Sequence, residues 1–301
     1  MNLEQIANKI YPGSRLIRSW PLSGGVSATM TAFEIQDADG QERRLILRSY
    51  GPHHADRDLQ PEYHTLFFVH AQGLPAPKPL LLDDSLQLLN EPYIVMKYTQ
   101  GEMIFPKTGQ LPYVRQMAEQ LARIHSVDLA ELNQTLFHQQ KKCHEGDKGL
   151  VHHDLKPLLR QIESRLNQPP AHSLNSPALL HGDFWPGNTL WHDGRLVSII
   201  DWENAHIGDP LIDLARSRSE ISWIFGRKAL DIFTKHYQEL MAIDYTHLPY
   251  WDSCAALRQL CFFGKNIPAI ADYFIPYSRT DITERSMKRD ITTFVNQSMN
   301  H

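Results

Sequence analysis

The sequence predicts an α+β chain in two lobes: a small, sheet-rich N-lobe over residues 1–98 and a larger, mostly helical C-lobe over 99–301. Three observations carry that reading. The first hundred residues alternate short strand-like runs with turn residues, whereas helical spacing of apolar positions dominates after Gly101. The chain has 301 residues, which at roughly 150 residues per domain suits two folding units. Hydrophobic residues make up 42% and charged residues 21%, enough apolar surface to bury a core without disulfide staples.

In chain order, Arg15 to Pro21 and Thr29 to Gln36 read as strands around the turn Ser23-Gly24-Gly25-Val26-Ser27. Two glycines between such runs suit a hairpin or a loop that covers phosphate. Asp39-Gly40 leads into a third strand, Arg44 to Arg48. Residues 58–71 place Leu59, Tyr63, Leu66, Phe67 and His70 at helical spacing and stop at Gly73. Pro75, Pro77 and Pro79 make an extended connector to two further strands, Leu80 to Asp83 and Tyr93 to Lys97, with a hinge expected at 98–101. Val114, Met117, Leu121 and Ile124 predict a helix over 110–126. Residues 128–153 are polar and show no clear period, and a helix is expected over 155–167. Loop and short strand then fill Leu179 to Asp201, and residues 211–297 read as helical again.

Thirty basic residues against 34 acidic give a net charge of −4, which does not suit general binding to nucleic acid or an anionic membrane. No apolar run reaches the ~18 residues needed to span a bilayer, and the N-terminus lacks the basic-then-apolar order of a signal peptide. Three cysteines, Cys143, Cys254 and Cys261, occur without a metal-type CxxC. They are expected to be reduced thiols in a cytoplasmic protein.

The chemically informative segment runs from Leu180 to Ala215. His181-Gly182-Asp183 is followed by Asn188, five positions after the aspartate, and Asp201 ends the apolar run Leu196 to Ile200. Phosphoryl transfer needs a carboxylate that orients the attacking hydroxyl and oxygen ligands that hold Mg²⁺ on the nucleotide phosphates. Asp183 suits the first task, as catalytic base, and Asn188 and Asp201 the second, as metal ligands. Carboxylate and amide oxygens are hard donors suited to Mg²⁺ rather than zinc.

This segment resembles the catalytic core of the aminoglycoside phosphotransferase and choline kinase-like superfamily. The pattern HGDxxxxN, then I-D-W, then G-D-P-x-x-D-L occurs in order at 181–188, 200–202 and 208–214. The resemblance implies a protein kinase-like two-lobed fold and an ATP-dependent phosphotransferase that acts on a hydroxyl of a small molecule. It also implies site residues in the N-lobe. Ser23, Gly24, Gly25 and Ser27 fall at the nucleotide-covering loop, where glycine permits close backbone approach to phosphate. Arg48 stands where kinases usually place lysine, with Glu62 as its partner, and its fork can bridge phosphate oxygens. Met96, Lys97 and Tyr98 match the strand whose backbone reads the purine edge, which leaves ATP and GTP both open. Asp209 and Asp213 are expected to brace the loop and cap the next helix, and His181 to hold the loop backbone.

Val151-His-His-Asp154-Leu-Lys-Pro157 imitates a kinase catalytic loop, but Leu159 stands five positions after Asp154, where a metal ligand belongs. Asp154 is therefore expected to cap a helix. The spacing of His53, His54, His144, His152 and His153 fits no zinc pattern. An alternative reading is a catalytically weak nucleotide-binding regulator of the same fold, motivated by the absent lysine. A third is a metal-dependent hydrolase built on the histidines. The acceptor stays open among choline, ethanolamine, aminoglycosides, macrolides, homoserine and sugar-like alcohols. Glu220, Asp252 and Asp272 are acids that suit a polyamine. Gly208-Asp209-Pro210 follows Asp201 with no room for an activation segment, which favours a small acceptor over a protein. Monomer and homodimer both fit.

Overall fold

The computed structural model describes residues 2–22, 28–51, 58–130, 132, 151–264 and 266–299. The expected covering loop Ser23, Gly24, Gly25 and Ser27 lies outside the described residues, as do His53, His54 and His144. The chain forms two compact units. One comprises Met1–Gly101 with Val197–Glu203, the other Glu102–Leu196 with Asn204–His301. The division expected at residue 98 assigned all later residues to the helical lobe. Residues 197–203, which include Asp201, instead belong to the first unit.

The first unit is built on an antiparallel sheet of β1 (Arg15–Leu22), β2 (Thr29–Gln36), β3 (Glu42–Ser49), β4 (Pro79–Asp83) and β5 (Tyr93–Lys97) in the order β1-β2-β3-β5-β4. Strand alternation sends Leu45 and Leu47 of β3 to one face and Arg48 to the other. Leu45 and Leu47 join Phe33, Ile35, Tyr93 and Val95 in a buried cluster with Leu3, Ile6 and Ala7 of helix α1 (Leu3–Ile10). That helix was not expected. Leu3, Ile6, Ala7 and Ile10 nonetheless recur at helical spacing, and the Asn2 side chain caps it by accepting from the Gln5 amide at 3.3 Å. Helix α2 (Gln60–Ala71) opens with Pro61 in its first turn and buries Glu62 along with Thr65, Leu66, Phe68 and Val69.

The second unit contains α3 (Leu111–His125) and α4 (Lys156–Leu166), then the short strands β6 (Ala178–Leu180) and β7 (Thr189–His192). Asp193 and Gly194, with φ of 49° and 72°, make the left-handed turn that leads from β7 into β8 (Arg195–Ile199). Strand β9 (His206–Gly208) pairs antiparallel with β6. Helices α5 (Pro210–Ile224), α6 (Arg227–Leu240), α7 (Leu248–Phe263), α8 (Ile267–Tyr273) and α9 (Glu284–Met299) complete the unit. Pro210 starts α5 directly after Asp209, whose carboxylate accepts from the Leu211 amide at 3.0 Å. No helix among the described residues is long and apolar enough to cross a membrane. Cys254 is disulfide-bonded, contrary to the expectation of three reduced thiols.

Candidate active site

In the second unit the loop between β6 and β7 carries Asp183 and Asn188. Its backbone is held from below by Asp213, one turn into α5 and fully buried. The Asp213 carboxylate accepts from the His181 amide at 2.6 Å and the Gly182 amide at 2.9 Å. Burial alone would raise its pKa, but the neighbouring His125, His181 and His206 help hold the carboxyl down at about 2. Gly182 has φ of 76°, and a Cβ there would lie 2.1 Å from the Asn204 carbonyl oxygen, so the turn admits only glycine. The His181 ring accepts from the Asp183 amide at 3.1 Å, the loop-holding role expected of it.

This scaffold leaves the Asp183 carboxylate at the loop surface, 23% exposed. Its Oδ1 pairs with Arg216 of α5 and lies 4.0 Å from Arg258 of α7. Its Oδ2 accepts from the Asn188 side-chain amide at 3.3 Å, and the same amide donates to the Asp183 carbonyl at 2.9 Å. Those two bonds fix the orientation of the Asn188 side chain. Its Oδ1 accepts no hydrogen bond from the described residues and is free as a donor to a cation. Burial pushes the Glu220 carboxyl up to about 7 against the pull of Arg216, and Glu220 accepts from the Trp223 indole at 3.0 Å.

In the first unit, Arg48 collects three carboxylates. Its Nε lies 3.2 Å from Glu62, and its Nη2 lies 2.8 Å from Asp201 and 3.0 Å from Glu203. Burial would lower the Arg48 pKa, but Glu62, Tyr50 and Asp201 reverse this and keep the guanidinium charged. The Tyr50 hydroxyl accepts from Arg48 Nε at 2.9 Å and donates to Glu62 at 2.6 Å. Burial pushes the Glu62 carboxyl up, while Arg48 and Tyr50 oppose it. Asp201 has φ of 67°, a left-handed conformation that aspartate tolerates better than most residues and that recurs where function dictates backbone shape.

The donor chemistry fits a divalent cation. In the first unit, three carboxylates around one guanidinium leave negative charge in excess and Asp201 offers a hard oxygen; in the second unit, taken by itself, Asn188 offers another. Buried Glu62 depends on its cation. Arg48→Met is expected to cost about 3–5 kcal/mol of stability in chemical denaturation, because an uncompensated carboxylate remains. The double variant with Glu62→Gln should recover much of that loss.

Several sequence expectations need correction here. The amides of Lys97 and Tyr98 donate to the carbonyls of Lys78 at 2.9 Å and Arg44 at 3.0 Å, so neither is free to donate to a purine edge. Asp154 caps no helix. It pairs with Lys288 at 3.0 Å, and the His152 ring accepts from its amide. His152, His153 and Asp154 are the one metal-type ligand group among the described residues, and the Lys288 ammonium already stands 3.1 Å from the His152 ring. Asp252 is buried in a bidentate pair with Arg218, both contacts at 3.0 Å, and is not available to a polyamine. Tyr50, Arg216 and Arg258 escaped the sequence reading. Glu203, two residues after Asp201, is legible as a neighbour of the expected metal ligand, with metal surroundings and solvent both open to it.

The model of the phosphotransferase enzyme family matches residues 21–257. Acyl-CoA dehydrogenase family member 11 of Gallus gallus is 28% identical over 206 residues, which is 61% of this chain and 26% of that protein. The human protein of the same name is 28% identical over 180 residues, 54% of this chain and 22% of that protein. The chain thus spans about a quarter of the length of the curated relatives it matches. Among solved structures, macrolide 2'-phosphotransferase from Brachybacterium faecium superposes with a TM-score of 0.63 at 17% identity, covering 98% of this chain and 97% of that one. Aminoglycoside 2'-phosphotransferase-IIIa, solved with GDP, gives a TM-score of 0.65 at 15% identity, covering 97% and 98%. At such identities the likeness shows the protein kinase-like fold alone.

Proposed function

We propose that this chain, which belongs to the phosphotransferase enzyme family, moves the γ-phosphoryl group of ATP to a hydroxyl of a small molecule. The observation that carries the reading is Asp183, a carboxylate held at a loop surface by an architecture of buried hydrogen bonds, with Asn188 oriented against it. In this reading Asp183 accepts the hydrogen bond of the acceptor hydroxyl and aims its oxygen at phosphorus. Arg48, kept charged by its carboxylate partners, would offer phosphate oxygens its Nη1, the one guanidinium nitrogen without a partner among the described residues. Glu62 and Tyr50 orient that guanidinium. Asn188 and Asp201 would hold Mg²⁺, which when bound offsets the phosphate charge. Ser23, Gly24, Gly25 and Ser27 would cover the phosphates. The matched family segment gives no ground for proposing a dehydrogenase activity here. A cytoplasmic setting, where ATP is at hand, suits the reading.

The test is labelled ATP with Mg²⁺ and a panel of small alcohols, alongside thermal shift with AMP-PNP. Acceptor-dependent label transfer and a nucleotide-dependent rise in melting temperature are expected. A nucleotide shift with no turnover on any acceptor would instead assign the chain to a regulator. Absence of both would reject the reading.

A further inference from the structure

The surroundings of Asp183 bear on the identity of the acceptor, an inference that rests on the phosphotransferase reading. Charge reaches this point from three elements: Asp183 on its loop, Arg216 and Glu220 on α5, and Arg258 on α7. Arg216 is balanced, since it pairs with Asp183 and is drawn to Glu220. Arg258 is not. Its guanidinium is half exposed, and Asp183 at 4.0 Å is the one carboxylate within ion-pair distance of it among the described residues. At that separation, and already shared with Arg216, Asp183 satisfies little of the Arg258 fork. The Arg216 Nε is also buried without a hydrogen-bond partner. The wall beside the candidate catalytic carboxylate is thus built of guanidinium groups.

An acceptor whose hydroxyl meets Asp183 must place its next few bonds beside that wall. An ammonium there meets two like charges and only a carboxylate already paired with Arg216, whereas an anion meets five N–H donors in planar array. We propose that the acceptor is an anionic alcohol, a hydroxyl borne a few bonds from a carboxylate or phosphate, and that Arg258 takes the negative group. Arg258 is then a specificity-determining residue for this chain, and polycationic or simple amino-alcohol acceptors are disfavoured. Of the three acids that suit a polyamine, Asp252 is consumed by Arg218, Glu220 is drawn to Arg216, and exposed Asp272 forms no ion pair with Arg216 or Arg258 among the described residues.

The experiment compares matched acceptors of equal length, hydroxy acids, alcohol phosphates, neutral diols and amino alcohols, with ATP and Mg²⁺. Binding of each is also read by thermal shift in the presence of AMP-PNP. Wild-type protein should prefer the anions in kcat/KM and be stabilised by them, and the carboxylate and phosphate arms identify which anion is read. Arg258→Glu should raise KM for the preferred anion by roughly 10–100-fold, the worth of a lost charge-assisted contact, and shift preference toward amino alcohols. Arg258→Lys should keep the anionic preference, which separates loss of the charge from loss of the fold. Preference of the wild type for cationic or neutral acceptors, or an unchanged ranking in Arg258→Glu, overturns the proposal while leaving the phosphotransferase reading intact. If no acceptor supports ADP formation, the phosphotransferase reading fails and this one with it.

Discussion

Asp183→Asn is expected to lower kcat by on the order of 10²–10⁴, the usual worth of a positioned carboxylate in proton-coupled transfer. Nucleotide affinity should stay within about threefold. The substitution keeps size and shape, and the Asp183 amide still donates to His181, so the loop keeps its path. What it removes is the charge that meets Arg216 and the oxygen proposed to receive the acceptor hydroxyl. Steady-state kinetics would show the loss in kcat and kcat/KM together, because the interaction lost is one that strengthens as the oxygen attacks. A variant that kept full kcat would remove Asp183 from the chemistry, and one that lost nucleotide affinity in parallel would make it a structural residue.

Much of the fold and part of the candidate site is legible in the sequence, and the division follows locality. Helices α2, α3 and α4 match their expected bounds to within two residues at each end; a proline-marked start serves all three and an amphipathic face serves α3 and α4, whereas α2 leaves Phe67 of its expected stripe exposed. The loop-bracing roles of His181 and Asp213 and the helix cap at Asp209 are equally local in motif terms. By contrast, no periodicity joins Arg216 or Arg258 to Asp183. These residues stand 33 and 75 positions away in sequence, and only the packing of α5 and α7 brings them together. Tyr50 follows directly on β3 and reads as an ordinary strand-end aromatic, yet its hydroxyl lies between Arg48 and Glu62. Residues 197–203 return to the first unit through long-range contacts that a contiguous lobe boundary cannot express.

The other large effect is expected at Asp213, which touches no reacting atom. Asp213→Ala orphans two buried amides, those of His181 and Gly182, and a buried group left without its partner costs about 1–3 kcal/mol. Together the two should lower stability by roughly 3–5 kcal/mol in denaturant unfolding followed in the second unit. Because Gly182 tolerates no side chain beside Asn204, the loop has little freedom to rebuild those bonds. Acid supplies a separate signature. The folded carboxyl sits at about 2, below its ordinary value near 3.9. Its contribution is therefore fully present above pH ~4 and is lost as pH falls through about 2. Wild-type protein should lose on the order of 2 kcal/mol over that window from this group alone, and Asp213→Ala should lack that component. Equal acid sensitivity in the two proteins would show that the carboxylate is not what holds the loop. Intact stability in the variant would show that the His181 and Gly182 amides find other acceptors.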